Sequence, residues 1–261
     1  MVFAENKVAL VTGGASGIGL AIVKKLLESN VKGVGVVDFS EFNWNNAKSS
    51  LSQKYGNKIY FVKADVSNKK ELKDAFEKIV EKFKNLDIVI NNAGILDEDN
   101  WQKMVAINLN AVIQGTYFAL NEYFPKYRSA EETVIINTAS ILGINTVASQ
   151  PAYSATKHGV VGFAKSISAQ EIFKKSNIRL ITICPGWIES NIMHKQEQAV
   201  LDIVNKELYA ICEKIVPAEY IGESVLKIMD TAKHGSVWVL EDGKTPYEIV
   251  FPNRKDMCSK Y

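Results

Sequence analysis

Short apolar runs alternate along the chain with longer amphipathic stretches. The runs are rich in valine and isoleucine and are not broken by alternating polar residues, which is typical of strands covered on both faces of a sheet. Six of them are predicted as strands, at residues 8–11, 34–37, 59–62, 88–90, 134–136 and 180–183. The stretch at 235–240 brings the expected number of strands to about seven.

The amphipathic stretches predict helices near residues 17–29, 42–53, 68–84, 100–127, 152–175, 195–215 and 218–232. Strands and helices alternating in this way predict an α/β fold of Rossmann type, a doubly wound parallel sheet with helices on both faces. No linker or repeat interrupts the chain, so one domain over residues 1–261 is expected. Residues 187–216, the least sheet-like stretch, are a candidate lid on the substrate side, or an amphipathic helix on the core.

A glycine-rich turn joins the first predicted strand to the first predicted helix. Glycines there let the backbone approach a pyrophosphate, and the helix N-terminus offers free N–H groups to it. A purely structural turn is the alternative, because such a motif alone is a weak signal. The residues expected to contact a dinucleotide here are Gly13, Ser16, Gly17, Ile18 and Gly19.

A carboxylate ends the second predicted strand, about 20 residues beyond the turn. Asp38 can accept hydrogen bonds from the ribose hydroxyls of a bound dinucleotide and would repel a 2′-phosphate. Phe39, also expected beside the cofactor, supplies no cation, and neither do Ala15 and Ser16. The predicted cofactor is therefore NAD rather than NADP. The alternative is that Asp38 only caps the following turn.

The third and fourth predicted strands end in two further motifs. Asp65 and Val66 stand at the place that corresponds to Asp38 and are expected at the adenine edge of the cofactor. Small and turn-forming residues follow the fourth strand, where they let the chain pass close to the ribose and nicotinamide. The expected contacts there are Asn92, Ala93 and Gly94.

Tyr153 and Lys157 are four residues apart in a predicted helix, so they project from one face. A phenol is a weak base at neutral pH, but a neighbouring ammonium favours the phenolate and could make Tyr153 a general acid/base. Ser140 follows the fifth predicted strand, from which its hydroxyl could polarise a substrate oxygen. Asn108 lies within an apolar helical stretch, where its amide satisfies backbone groups or holds a water. Each of these residues could be structural if it stood alone.

Composition excludes several classes of function. The net charge of +2 is spread over mixed acidic and basic residues, so no nucleic-acid partner is expected. No apolar run reaches the roughly 18 residues of a membrane span, and no signal peptide is recognised. The three cysteines and three histidines are scattered without metal-ligand spacing, so no metal is expected. We expect a cytoplasmic protein with a small-molecule substrate.

The joint pattern of motifs resembles the short-chain dehydrogenase/reductase family over nearly the whole chain. The resemblance implies hydride transfer between a substrate carbon and nicotinamide, with Tyr153 exchanging a proton with the substrate hydroxyl. It implies that Ser140 steadies the oxygen, that Lys157 binds the nicotinamide ribose and lowers the pKa of Tyr153, and that Asn108 holds a water of a proton relay. It also places a further set of residues near the cofactor, namely Pro185, Gly186, Ile188 through its backbone and Ser190, where many members carry threonine.

Residues 150–163 and the C-terminal ending are similar to the branch of this family that contains 15-hydroxyprostaglandin dehydrogenase and insect alcohol dehydrogenases. Apolar residues in segments that the resemblance places around the substrate favour a lipophilic secondary or allylic alcohol, such as a terpenoid, fatty or prostanoid alcohol. Leu142, Gln150 and Trp187, with Ser140 and Tyr153, are the expected substrate contacts. Ile192 and Met193 belong to the same apolar set.

The resemblance also implies a homodimer or homotetramer. Two other functions were weighed. A protein that binds NAD without turnover, for storage or sensing, would be favoured by a missing catalytic residue, and none is missing. A sugar epimerase or dehydratase would need a longer chain with a separate sugar-nucleotide domain.

Overall fold

Eight strands form one sheet in the part of the chain that the computed structural model describes, residues 2–189 and 198–257. They are β1 (Val8–Thr12), β2 (Gly33–Asp38), β3 (Ile59–Lys63), β4 (Ile88–Asn91), β5 (Thr133–Thr138), β6 (Ile178–Pro185), β7 (Val237–Leu240) and β8 (Tyr247–Glu248). Their order across the sheet is β3-β2-β1-β4-β5-β6-β7-β8, with β1 to β7 parallel. The predicted Rossmann-type fold is confirmed.

Strand β8 is the difference from the expected count of about seven. It pairs antiparallel with β7, through Trp238 with Glu248 and Val239 with Tyr247. Both of its residues are exposed. A two-residue exposed strand carries no apolar run, so the hydrophobic pattern could not predict it.

Helices cover both faces of the sheet. They are α1 (Gly17–Glu28), α2 (Glu41–Tyr55), α3 (Lys69–Phe83), α4 (Trp101–Val105), α5 (Ala111–Phe118), α6 (Phe124–Tyr127), α7 (Pro151–Ser168), α8 (Glu171–Ser176), α9 (Gln198–Tyr209) and α10 (Ala218–Thr231). Two π-helical turns, Ala106–Asn110 and Ala119–Tyr123, join α4, α5 and α6 into the long helical stretch predicted at 100–127. Within the described ranges, no helix has both the length and the apolar character that crossing a membrane requires.

The helix predicted at 152–175 is divided into α7 and α8. The carbonyl oxygen of Ser168, the last residue of α7, is contacted by Nε2 of His234 at 3.0 Å. This contact satisfies a carbonyl group at the helix end from outside the helix. His234 in turn accepts a hydrogen bond from the Leu180 N–H at 3.0 Å through Nδ1 and stacks on Phe173. The division therefore depends on a side chain from a distant part of the chain.

Two apolar layers hold the sheet between the helices. One lies under α1 and α10 and includes Ile22, Val36 and Val225, all fully buried. The other lies under α3, α5 and α7, with Phe76 and Phe118 at its centre. Because both faces are covered, the strands are apolar on both sides, as the continuous runs in the sequence predict.

The order of the strands creates a crevice at one edge of the sheet. Strands β2 and β3 lie on one side of β1, and β4 lies on its other side, so the direction in which the chain adds strands reverses at β1. Helices leading away from β1 and β4 therefore diverge, and the carboxyl ends of these strands border the gap between them. Predicted functional residues end or follow each of the strands β1 to β6, so they collect at this edge.

Candidate active site

The glycine-rich turn after β1 leaves no room for side chains. Gly13 and Gly17 have φ angles of +64° and +50°, a conformation that residues with a Cβ rarely adopt. A Cβ on Gly13 would lie 2.9 Å from Cα of Ala93, and one on Gly19 would lie 2.0 Å from the Gly13 carbonyl oxygen. The turn thus packs directly on the segment that follows β4.

The N-terminus of α1 is open to an anion. Ser16 is the N-cap residue, but its side chain makes no capping hydrogen bond. The first turn, which begins with Gly17 and Ile18, contains no acidic residue. The helix dipole and the first N–H groups are therefore not offset by a carboxylate of this turn. A tight turn followed by such a helix end fits the pyrophosphate of a dinucleotide.

The carboxylate of Asp38 is held by two backbone N–H groups. Ala15 donates to its Oδ2 at 3.0 Å and Ser40 donates to its Oδ1 at 2.9 Å. It therefore does cap the turn, the alternative weighed from the sequence. Each carboxylate oxygen has a second lone pair, so this role does not prevent it from accepting ribose hydroxyls as well. The Phe39 side chain beside it is 66% exposed.

The carboxylate of Asp65 is engaged within its own turn. Its Oδ1 accepts hydrogen bonds from the Ser67 N–H at 2.9 Å and from the Ser67 hydroxyl at 2.6 Å. The Asp65 N–H donates to Glu71 Oε2 at 2.9 Å. Val66 is buried in the layer under α3. The turn is held by its own hydrogen bonds, and contact of these two residues with adenine stays a prediction.

Thr12 connects the glycine-rich turn to the segment after β4. Its Oγ1 accepts hydrogen bonds from the N–H groups of Asn92 at 2.9 Å and Ala93 at 3.1 Å. The Asn92 side-chain amide donates back to the Thr12 carbonyl oxygen at 3.1 Å. The two predicted cofactor segments therefore form one rigid edge.

Tyr153 lies in the first turn of α7 with its side chain half-buried. Burial raises the pKa of its phenol to about 12, and a hydrogen bond with Ser140 lowers it in part. Ser140 is 8% exposed and caps the short 3-10 helix Ile141–Gly143, because its Oγ accepts the Leu142 N–H at 3.1 Å. The structure thus brings together the two side chains that the sequence places on different elements.

Lys157 is 3% exposed, one turn further along α7. Its Nζ donates to the Thr138 carbonyl oxygen at 3.1 Å and lies 5.5 Å from the centre of the Tyr153 ring. Burial lowers the pKa of Lys157 to about 8, and nearby Cys184 raises it in part. In this structure the pKa of Tyr153 is raised by burial, Ser140 is the group that lowers it in part, and its lowering by Lys157 stays a prediction.

Asn108 is fully buried in the first π-helical turn. Its amide pairs with the backbone of Ile95: Oδ1 accepts the N–H and Nδ2 donates to the carbonyl, each at 2.9 Å. Its Nδ2 also reaches Thr156 Oγ1 at 3.4 Å. A Cβ added to Gly94 would lie 3.4 Å from Asn108 Oδ1 and 3.5 Å from Lys157 Nζ. Asn108 and Lys157 therefore border the same small space.

Strand β6 ends at Pro185, and the segment after it begins with Gly186. The Gly186 N–H donates to the Leu240 carbonyl oxygen at 2.8 Å, which holds this segment beside the end of β7. Ile188 is 9% exposed and forms an isolated parallel bridge with Val216. These contacts keep the start of the predicted lid at the carboxyl edge of the sheet.

Trp187 packs its ring edge-on against Tyr209 of α9, with ring centres 4.4 Å apart. It is half-buried and lies beside the apolar cluster that also contacts Tyr153. Ser190, Ile192 and Met193, the other residues predicted in this segment, lie outside the described residues.

The predicted substrate contacts Leu142 and Gln150 are each only 2% exposed. Leu142 packs with Val160 and Val161 of α7, because the 3-10 turn capped by Ser140 directs it inward. In this structure Leu142 belongs to the core rather than to an open surface, and its contact with substrate stays a prediction. Gln150 is the N-cap residue of α7.

A cavity of about 540 Å³ lies at the opposite edge of the sheet, at the amino ends of β5 and β6. It is lined by Glu131, Glu132, Phe173, Asn177, Ile178, Arg179 and His234. None of the predicted site residues borders it. No set of three or more His, Cys, Asp and Glu side chains within residues 2–189 and 198–257 is arranged to hold a metal ion.

Glu98 is a site residue that sequence analysis did not find. Its Oε1 accepts the Tyr153 N–H at 2.9 Å and its Oε2 accepts the Ala152 N–H at 3.0 Å. The partners are 55 and 54 residues away along the chain, so no local motif indicates the contact. The Thr138 carbonyl was missed for the same reason, since only the folded sheet end places it under Lys157.

The family model described as short chain dehydrogenase matches residues 7–201. The chain therefore belongs to the short-chain dehydrogenase/reductase family, whose members are enzymes that interconvert alcohols and carbonyl compounds. This confirms the family that its motifs predict.

Among its relatives, rat 15-hydroxyprostaglandin dehydrogenase [NAD(+)] is 42% identical over 195 residues, which cover 74% of this chain and 73% of that protein. Alcohol dehydrogenase 2 of Ceratitis capitata is 29% identical over 244 residues, covering 92% and 93% of the two chains. The crystal structure of levodione reductase superposes with a TM-score of 0.77 at 25% identity, covering 92% of this chain and 97% of that one. The predicted branch of the family is confirmed.

Proposed function

We propose that this protein is an NAD-dependent dehydrogenase that interconverts a lipophilic secondary or allylic alcohol and its ketone or aldehyde. The observation that carries the proposal is the arrangement of three side chains at the carboxyl edge of the sheet. The Ser140 hydroxyl lies close enough to the Tyr153 phenol to lower its pKa, and the Lys157 ammonium lies 5.5 Å from the centre of the same ring. This arrangement suits the interconversion of an alcohol and a carbonyl compound, because it combines a proton-exchanging group, a second hydroxyl and a buried cation.

The cofactor is NAD. The pyrophosphate would lie on the turn formed by Gly13, Ser16, Gly17, Ile18 and Gly19, in which Gly13 and Gly19 leave no room for a Cβ. The adenosine ribose would be held by Asp38, with Phe39, Asp65 and Val66 toward the adenine. The nicotinamide half would pass along Asn92, Ala93, Gly94, Tyr153, Lys157, Pro185, Gly186, Ile188 and Ser190. Support comes from the tight turn, the uncapped helix end and the name of the rat relative, which specifies NAD(+).

In alcohol oxidation, NAD supplies the hydride acceptor. Tyr153 takes the hydroxyl proton of the substrate at its phenolic oxygen, and it gives the proton back when a carbonyl is reduced. The Ser140 hydroxyl donates a hydrogen bond to the same substrate oxygen and fixes its direction. Lys157 holds the nicotinamide ribose, and its charge favours the phenolate once both groups face the substrate. Asn108 holds a water through which Lys157 exchanges protons with solvent.

The substrate is lipophilic, of the terpenoid, fatty or prostanoid kind. Trp187 and Tyr209 present an aromatic pair beside the apolar cluster that contacts Tyr153. Leu142 and Gln150 are the further proposed substrate contacts, and residues 187–216 are the proposed lid. The name of the rat relative, a hydroxyprostaglandin dehydrogenase, supports a large apolar alcohol.

The assembly is a homodimer or homotetramer built on α5 and α7. Tyr117 on α5 is 38% exposed, and a Cβ on Gly162 of α7 would meet no atom within 4 Å. The two helices therefore offer an exposed ring and an open glycine position on their outer side. A cytoplasmic location is supported by the free thiols of the buried Cys184 and Cys212.

The test is an assay of nicotinamide reduction with NAD or NADP and a panel of lipophilic secondary, allylic and short-chain polar alcohols. Tyr153→Phe is the matched control, because it removes only the titrating oxygen. We expect turnover with NAD that is lost in the control, with the highest kcat/KM on the lipophilic alcohols.

Preference for NADP would overturn the assignment of Asp38, and turnover of short polar polyols alone would overturn the substrate class. Equal turnover by wild type and Tyr153→Phe would overturn the role of the phenol. NAD binding is measured on both forms by titration calorimetry, and failure of both to bind would overturn the proposal as a whole.

A further inference from the structure

The helix that carries Tyr153 has no cap from its own neighbourhood. Pro151 occupies the first helical position, and the side chain of the N-cap residue Gln150 makes no capping hydrogen bond. Proline removes one of the free N–H groups of the first turn, and those of Ala152 and Tyr153 remain. Both are taken by the carboxylate of Glu98, at 3.0 Å and 2.9 Å.

The second anchor of this turn is a hydroxyl of α7 itself, which is connected to the same loop through Asn108. The Thr156 hydroxyl donates to the Tyr153 carbonyl oxygen at 2.7 Å, and Thr156 is itself reached by the Asn108 amide at 3.4 Å. Asn108 pairs with both backbone groups of Ile95, three residues before Glu98. The peptide groups on both sides of Tyr153 are thus tied to residues 95–98.

We infer that Glu98 is a positioning residue for Tyr153: its carboxylate fixes the first turn of α7 and thereby the direction of the phenol toward Ser140. This inference rests on the proposed function, in which Tyr153 exchanges the proton. A carboxylate on a helix N-terminus also offsets the positive end of the helix dipole. Its removal therefore changes the electrostatic environment of Tyr153 as well as its position.

The titratable or charged groups around the phenol come from several elements. They are Glu98 from the loop after β4, whose carboxylate accepts the Tyr153 N–H, the Ser140 hydroxyl after β5, which lowers the pKa of the phenol, Lys157 from α7 and, next to Ser140 and Lys157, Cys184 from β6. Among these groups, Glu98 is the acidic side chain that accepts hydrogen bonds from the backbone N–H groups at the N-terminus of α7. Loss of its negative charge favours the phenolate, so the pKa of Tyr153 falls.

The experiment compares Glu98→Ala and Glu98→Gln with Asp97→Asn. Asp97 is a matched control because it carries the same charge in the adjacent position, but its carboxylate accepts from Asn100 rather than from α7. Tyrosinate formation is followed by ultraviolet absorbance against pH, with each protein referred to the same variant carrying Tyr153→Phe. Steady-state kcat and KM for NAD and alcohol are measured beside it, with thermal unfolding to establish the folded state.

We expect the midpoint of the Tyr153 titration to fall by about half a pH unit in both Glu98 variants and to stay unchanged in Asp97→Asn. We expect kcat to fall about tenfold in Glu98→Ala, with an unchanged KM for NAD, because a small misplacement of the phenol is costly. Glu98→Gln keeps one acceptor oxygen and should recover part of kcat.

A wild-type titration midpoint together with wild-type kcat in the folded Glu98 variants would overturn the inference. So would lower thermal stability alone, which would make Glu98 a structural cap, or an equal shift in Asp97→Asn, which would make the effect one of net charge. If the wild type showed no turnover, the proposed function would fail, but the titration would still report whether Glu98 sets the environment of Tyr153.

Discussion

The ammonium group of Lys157 donates a hydrogen bond to the carbonyl oxygen of Thr138 over 3.1 Å. This contact ties α7, the helix that carries Tyr153, to the end of β5, the strand that Ser140 follows. It also commits one of the three Lys157 protons to the backbone rather than to the phenol of Tyr153. The pKa values of both groups are then set mainly by burial, which raises that of Tyr153 to about 12 and lowers that of Lys157 to about 8.

The first prediction concerns the pH dependence of the two directions of reaction. Alcohol oxidation requires Tyr153 as phenolate, and a raised pKa makes the phenolate scarce near neutral pH. The kcat/KM for oxidation should therefore rise with pH, by up to about tenfold per pH unit, from about pH 6 upward. Carbonyl reduction uses the phenol and should stay nearly constant over the same range.

Binding of a cationic nicotinamide ring favours the phenolate, so the plateau for oxidation should be reached below the pKa of about 12. The measurement is kcat/KM against pH in both directions, in buffers of constant ionic strength. An oxidation rate that is flat from about pH 6 to about pH 10 would contradict the role of Tyr153 as the titrating base.

The second prediction is that Lys157→Met stabilises the protein while abolishing its activity. The folded-state pKa of Lys157 is about 8, below its ordinary value of 10.5, so the buried charge costs about 3 kcal/mol below pH 8. Loss of the hydrogen bond to Thr138 offsets about 1 kcal/mol of this. The free energy of unfolding at neutral pH should thus rise by about 2 kcal/mol.

The pH dependence of the difference in stability between Lys157→Met and wild type tests the sign of this effect. In the wild-type protein, the free-energy cost of the buried Lys157 charge disappears as the pH rises from about 8 to about 10.5. The reason is that Lys157 becomes neutral at a lower pH in the folded state than in the unfolded state. The advantage of Lys157→Met in denaturant unfolding should therefore shrink over this window. A variant less stable than wild type at neutral pH would show that the ammonium is stabilising where it stands.

The sheet illustrates what the hydrophobic pattern can predict. Strand β5 was expected at 134–136 and extends over Thr133–Thr138, with all six residues buried. The apolar centre was recognisable, whereas the ends are polar residues that are buried only because neighbouring strands and helices cover them. The position of Asn137 beside Asn91 depends on strand pairing, which follows from the fold and not from local composition.

The candidate site divides in the same way. Gly13, Asp38, Ser140, Tyr153 and Lys157 could be identified because each occupies a fixed place relative to a strand end or a helix turn. Contacts that join separate elements could not be predicted, since they depend on tertiary packing. The hydrogen bonds of Glu98 with the N-terminus of α7 and the inward direction of Leu142 both depend on such packing.

The third prediction concerns the choice of cofactor. Asp38→Asn keeps the volume of the side chain and leaves one acceptor oxygen for the N–H groups of Ala15 and Ser40. It removes the negative charge that would repel a 2′-phosphate. The ratio of kcat/KM for NAD over NADP should fall by at least about tenfold, the value of a hydrogen bond to a charged group. Both cofactors are assayed with the same alcohol.

Asp65→Asn is the control for this prediction. The Asp65 carboxylate accepts hydrogen bonds from the Ser67 N–H and hydroxyl. It is expected near the adenine, which NAD and NADP share. The variant should change kcat/KM for NAD and NADP equally. A ratio that falls in Asp65→Asn and stays constant in Asp38→Asn would reverse the assignment of the two carboxylates.

The fourth prediction concerns stability and involves the amino edge of the sheet. Asp87 is fully buried before β4, and its carboxylate accepts from the Val8 N–H at 2.9 Å, the Ser129 N–H at 2.6 Å and the Ala130 N–H at 3.2 Å. It thereby joins β1 to the loop before β5. Asp87→Ala leaves the buried Val8 N–H without this acceptor and removes the contact of the Ser129 and Ala130 N–H groups with the strand end, and it should lower the free energy of unfolding by about 3 kcal/mol.

Denaturant unfolding measures this loss, with Asp74→Ala as the control. Asp74 pairs with Lys70 at 2.8 Å on the surface, with its side chain 38% exposed, so its removal should change stability by less than about 1 kcal/mol. The kcat of folded Asp87→Ala should stay at the wild-type value, because Asp87 lies at the sheet edge opposite to Tyr153. Loss of kcat without loss of stability would instead require a connection between the two edges that none of these hydrogen bonds provides.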